Sequence, residues 1–179
     1  MFRPMRRSRQ QISTAECQEI LRRATSGVLG LHGDDGYPYT VPLSFVYQEG
    51  GSGLGTIGFH CATTGHKIDA IRRDPKVSFT VIDRDEVMPR ERTTKFCSVI
   101  AFGRARILEG EEEMRRAANA VGAKYSAGFE DLYRQETEDT LREGRLCCVE
   151  ITIDHMTGKI GRELLMERLR AAAGAPGQP

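Results

Sequence analysis

Before residue 110 most connections between the strand-like segments are too short for crossover helices. The clearest is Gly33-Asp34-Asp35-Gly36, between apolar runs at 28–32 and 39–47. Asp-Gly supplies the positive φ that tight hairpin turns require. A glycine-rich turn at 49–55 leads into a third strand at 56–60. Further strands are predicted at 77–83, 96–108 and 146–153, with a bend or bulge at Gly103. Pro42 cannot donate to a ladder, so its strand belongs at an edge or at a bulge.

Helical periods lie around these strands. Ser13-Thr14-Ala15-Glu16 reads as a capping box, followed by Cys17, Ile20, Leu21 and Ala24 on one face. A short helix at 67–73 turns Ile68 and Ile71 to the core and stops at Asp74-Pro75. Helices are predicted at 111–124 and 130–143, with a weaker one at 161–173 and a tail at 174–179. Charged 84–94, with Pro89, reads as a surface loop, and 154–159 as a turn. The predicted fold is mainly β: a six-stranded antiparallel split β-barrel with flanking helices. It divides into a basic N-terminal arm (1–12), a barrel domain (13–160) and a C-terminal helix and tail (161–179).

With 179 residues, the chain suits one such domain. Its 26 Lys and Arg against 25 Asp and Glu argue against a nucleic-acid binder driven by bulk charge. No apolar run nears the roughly 20 residues that cross a bilayer, and the basic start has no apolar stretch of a secretion signal. Five cysteines, an odd number with two adjacent and no C-x-x-C, point to a reducing cytoplasm. Cys17 reads as core, as does one of Cys147 and Cys148. Arg3, Arg6, Arg7 and Arg9 are either a solvated terminus or a strap toward a partner or an anion.

The segment Gly58-Phe59-His60-Cys61-Ala62-Thr63-Thr64-Gly65-His66-Lys67 passes from strand to helix within five residues. Free N–H groups and the helix dipole favour an anion there. Thr63 and Thr64 add hydroxyls, Gly65 allows close approach, and Lys67 adds charge. The turn is either a phosphate site or an ordinary capped turn, and it is not a Walker A loop. His60, Cys61 and His66 with His155 or Cys147 do not have zinc spacing, so no metal is expected. His155 reads as a surface residue, and Glu111 to Glu113 as a favourable helix start.

Tyr37-Pro38-Tyr39-Thr40-Val41-Pro42-Leu43, then Phe59-His60-Cys61-Ala62 with Gly65-His66-Lys67, then Ser98-Val99-Ile100-Ala101-Phe102-Gly103-Arg104-Ala105 resemble the pyridoxamine 5′-phosphate oxidase-like flavoproteins. Within these the chain is most similar to the nitroimidazole-resistance (Nim) branch, which Met5-Arg6-Arg7 also fits. The resemblance spans roughly 5–160 and implies a homodimer with FMN, or FAD, at two interface sites. It places Thr40, Val41, Pro42 and Leu43 against the isoalloxazine ring, and His60, Cys61 and Ala62 beside the ring and ribityl chain. His66 and Lys67 fall at the phosphate, where the turn itself offers the Thr64 hydroxyl to the cofactor, and Ser98 near the flavin from either subunit. His60 is then either a proton donor, its ordinary pKa being ~6.5, or a group that positions the cofactor. The chain has no tryptophan, and its C-terminus lacks the arginine and tryptophan substrate motif of a true pyridoxamine phosphate oxidase. The expected activity is flavin-dependent reduction of a small electrophile, such as a nitroaromatic, by a small-molecule electron donor. The alternatives are a flavin- or haem-binding module without turnover and a deazaflavin-using reductase.

Overall fold

The computed structural model describes residues 2–50 and 53–174. Eight strands form one antiparallel sheet: β1 (Gln11–Ile12), β2 (Gly27–His32), β3 (Pro38–Leu43), β4 (Val46–Gln48), β5 (Thr56–Cys61), β6 (Lys76–Met88), β7 (Thr93–Ile107) and β8 (Cys147–Ile160). The order is β3-β2-β6-β7-β8-β5-β4, with β1 added to β8. Among the described residues five α-helices accompany it: α1 (Thr14–Arg23), α2 (His66–Arg73), α3 (Glu111–Tyr125), α4 (Glu130–Arg142) and α5 (Arg162–Gly174).

Curvature follows from connectivity. β3 and β4 are opposite edges of the path, yet only Ser44 and Phe45 separate them. A link from Leu43 to Val46 spans about 11 Å at most. Laid flat, the seven strands would hold those edges about 29 Å apart. The sheet therefore curls into a barrel, and β3 and β4 do not pair, which leaves it split. Alternate residues fill the inside, among them Leu29, Phe59, Phe79, Val99 and Ile151, each no more than 1% exposed.

At the split, Phe45 is fully buried. Its N–H donates to the Tyr125 hydroxyl at 2.9 Å. Lys124 Nζ donates to the Ala24 carbonyl at 2.5 Å and the Phe45 carbonyl at 2.9 Å. It also sits 4.3 Å from the Phe45 ring centroid. Burial pulls the Lys124 ammonium below its ordinary pKa. The end of α3 thus bridges the gap that no strand ladder closes.

Two expectations are corrected. Residues 84–94 are mostly not a loop, because β6 and β7 run on as a two-stranded ribbon to Met88 and Thr93. Their charges face solvent on a ribbon whose backbone is satisfied by pairing, and Glu86 lies opposite Lys95. Pro89 falls in the tip, outside the ladder. Likewise 154–159 is strand, not turn: Met156, Gly158 and Ile160 are buried while the residues between them are not. A register shift at Phe102 and Gly103 absorbs one extra residue of β8, the irregularity expected of Gly103. The six expected strands become eight, because 39–47 divides at the split and Gln11–Ile12 pairs with β8.

Other expectations hold. Pro42 lies on edge strand β3. Asp35 and Gly36 take positive φ in the β2–β3 hairpin. The Ser13 hydroxyl accepts the Glu16 N–H at 3.2 Å, while the Glu16 carboxylate meets Arg168 of α5. Cys17 is buried, and both Cys147 and Cys148 are, on opposite sides of β8. The 174–179 tail lies outside the described residues beyond Gly174.

Candidate functional site

α2 begins without a side-chain cap. Its N-cap, Gly65, has φ +123, a conformation that glycine reaches readily and other residues rarely adopt. The Gly65 carbonyl accepts Ile68 N–H at 2.9 Å and Asp69 N–H at 3.1 Å. The preceding N–H groups, of His66 and Lys67, face the mouth of the turn with the positive end of the helix dipole. Thr63 and Thr64 are exposed beside them. Lys67 is half-buried, its Nζ 5.7 Å from the Phe59 ring centroid.

Contacts outside the motif fix the turn in place. The His66 imidazole stacks on Tyr39, centroids 4.1 Å apart and planes 15° from parallel. Its Nε2 lies 3.4 Å from Asp34 Oδ2. Arg73, at the other end of α2, donates to Asp34 at 2.9 Å and to the His32 carbonyl at 2.7 Å. The helix is therefore tied to the β2–β3 hairpin, beside the start of the 40–43 segment. His66 is engaged by Tyr39 and Asp34, so Lys67 and the backbone N–H groups carry the free positive charge. Tyr39, Asp34 and Arg73 act through these contacts, which no spacing in the sequence signals.

The structure distributes the remaining site residues over several surfaces. Val41 and Leu43 pack inward on the core, while Thr40 and Pro42 point outward and are exposed. Thr40 lines a cavity of about 340 Å³ with Gly30, Tyr39, Ser78 and Phe102. Exposed Ala62 follows β5. Cys61 pairs across the ladder with Cys147, and burial pushes its thiol from 9.0 up to about 11, against the pull of Lys67. His60 points the other way, into a cavity of about 170 Å³ under α3 and α4, with Tyr125, Tyr133, Glu136 and Thr137. Ser98 is on the outer face of β7, between Ile82 and Lys159 of the neighbouring strands. The row through Thr40 crosses β7 at Phe102. Three strand spacings and four residues then separate Thr40 from Ser98, about 20 Å. Within one chain these two residues do not share a pocket.

Among the described residues no group of three or more His, Cys, Asp or Glu is placed to hold a metal ion. No helix among them is long and apolar enough to cross a membrane.

Solved structures with similar folds include a candidate 5-nitroimidazole antibiotic resistance protein from Bacteroides thetaiotaomicron (21% identity, TM-score 0.64, covering 84% of this chain and 86% of that one). A conserved hypothetical protein from Mycobacterium tuberculosis aligns over 98% of this chain and 96% of its own, at 21% identity and TM-score 0.70. An FAD-binding protein from Mesorhizobium loti is 25% identical, with TM-score 0.58, over 84% of this chain and 96% of that one. No curated protein sequence matches the chain. The family model described as pyridoxamine 5′-phosphate oxidase matches residues 13–160, from the cap of α1 to the end of β8. The chain belongs to the pyridoxamine 5′-phosphate oxidase family.

Proposed function

We propose that this protein is a flavin-dependent oxidoreductase that reduces a small electrophile such as a nitroaromatic. The observation that carries the reading is the uncapped, glycine-started N-terminus of α2, with Lys67 beside it and Tyr39 stacked on His66. A turn of this kind favours a phosphate, and β3, which supplies Tyr39, runs beside it. The family match and the FAD-binding relative support the same reading.

When bound, a flavin supplies two-electron chemistry that side chains lack. Lys67 and the free N–H groups hold the FMN or FAD phosphate, with Thr64 adding a hydroxyl. Backbone at Thr40, Val41, Pro42 and Leu43, and at Cys61 and Ala62, orients the ring system. His60 donates a proton to the substrate. In this reading the protein works in the cytoplasm as a homodimer, and the partner's copy of the β7 face brings its serine to the site that Ser98 cannot reach within its own chain. The outer face offers Val28, Ile82, Ile100 and Phe102, 37–66% exposed, as the surface between copies. Electrons come from a reduced nicotinamide or another small donor.

The test is direct. Purified protein mixed with FMN or FAD is expected to retain a yellow chromophore through gel filtration, and released material identifies it by mass. Protein that stays colourless with both refutes the reading. A second reading, a flavin- or haem-binding module without turnover, is favoured by His60 opening on a cavity separate from that of Thr40. Similar folds also occur in an FAD and haem binding protein from Mycobacterium smegmatis. Consumption of a nitroaromatic with a reductant separates the two; a haem spectrum in place of flavin selects the second.

A further inference from the structure

A second basic site lies where the N-terminal arm, joined to the end of β8, meets the start of α5. The N-terminal arm makes a single 3-10 turn (Ser8–Gln10) and is then pinned by β1, with Gln11 opposite Lys159 and Ile12 opposite Gly158. Anchored there, Arg6, Arg7 and Arg9 converge with Arg162, the first residue of α5, around one cavity of about 640 Å³. Leu165 and Met166 of α5 form its apolar side. None of its lining residues is acidic. All four arginines are exposed, and among the described residues none is in an ion pair with a carboxylate.

Elsewhere on the surface the arginines are mostly matched: Arg22, Arg23, Arg73, Arg84, Arg106, Arg115, Arg142 and Arg168 each meet a carboxylate. Four unmatched guanidinium groups gathered on a docked arm repel one another unless an anion sits among them. The N-terminus of α5 adds positive potential at the same place. Gln10 lines the cavity beside Ser8 and Arg9.

We propose that the cavity between the N-terminal arm and α5 binds a nucleoside phosphate. Arg6, Arg7, Arg9 and Arg162 take the phosphates, for which the planar guanidinium fork is suited. Leu165 and Met166 cover the base, a thioether being a favourable neighbour for an aromatic ring. The volume fits an organic ligand and far exceeds the needs of a lone anion. This site is separate from the turn at 60–67 and does not depend on it.

Calorimetric titration of the full chain with ADP, adenosine and inorganic phosphate tests the assignment. ADP is expected to bind at least about tenfold more tightly than either fragment, because both the charge and the apolar side contribute. Arg6→Ala and Arg162→Ala each weaken ADP by about tenfold or more. Lys67→Ala, at the other site, leaves ADP binding unchanged while weakening flavin. Circular dichroism melts of the arginine variants should match the parent, since among the described residues these exposed side chains make no hydrogen bond or ion pair. ADP binding no tighter than inorganic phosphate, or equal in both arginine variants and the parent, overturns the proposal. Loss of ADP binding in Lys67→Ala overturns it too, by assigning the phosphate to the first site.

Discussion

At the scale of single residues, Lys67 and His66 look equivalent as a basic pair, and the structure separates them. His66 is flat on Tyr39 and beside Asp34, while Lys67 leans over Phe59 with no carboxylate partner among the described residues. Lys67→Ala is expected to weaken FMN about tenfold to a hundredfold, the worth of one charged hydrogen bond. His66→Ala should act more gently, by loosening the Tyr39 stack. Fluorescence quenching of added FMN measures both. The cysteines give a second expectation. Burial pushes the thiols of Cys17 and Cys61 from 9.0 up to about 11, and that of Cys148 up to about 12. Above pH 9 the unfolded chain releases these protons while the folded chain keeps them, so unfolding gains from rising pH. The melting temperature should therefore hold steady from neutrality to about pH 9 and fall between about pH 9 and 11. Cys148→Ala should soften that fall; calorimetry over the pH series decides.

At the scale of elements, the sharpest constraint is the meeting of β7 and β8 at Gly103. A Cβ there would stand 2.1 Å from the Thr152 carbonyl oxygen, closer than any real contact. Gly103→Ala must push two paired strands apart at the bulge, and a loss of about 3 kcal/mol or more is expected in urea unfolding, against well under 1 kcal/mol at the exposed Gly174. Gly103 was legible in the sequence as a glycine inside a long strand. So were the caps, the short turns and the edge placement of Pro42, because each depends on neighbours a few residues away. The ribbon at 84–94 was not, since charge and proline count against a strand when its partner is unknown. Nor was the end of β8, whose Met156-Thr157-Gly158 reads as a turn until β1 and β7 are seen on either side. The site divides in the same way. The phosphate-like turn shows in ten consecutive residues, whereas Asp34 with His66 and Arg73, and the cavity that His60 faces, depend on pairings across the fold.

At the scale of the whole molecule, the flavin reading asks two copies to complete each site, because Ser98 lies about 20 Å from Thr40 along the sheet and on another part of the chain's surface. Ile100→Glu, in the middle of the outer face, should convert a dimer to monomers in sedimentation velocity and cost flavin retention together. A dimer that survives the substitution places the contact elsewhere. One further consequence belongs to time. β8 is the last strand in the chain, yet it lies between β7 and β5 and also holds β1. On the ribosome, the β7 edge and the β5 edge must therefore wait, unpaired, until residues 147–160 have left the exit tunnel. Nascent chains of this protein are exposed to edge-to-edge association for most of their synthesis, and the barrel closes in a late step dominated by contacts between distant parts of the sequence.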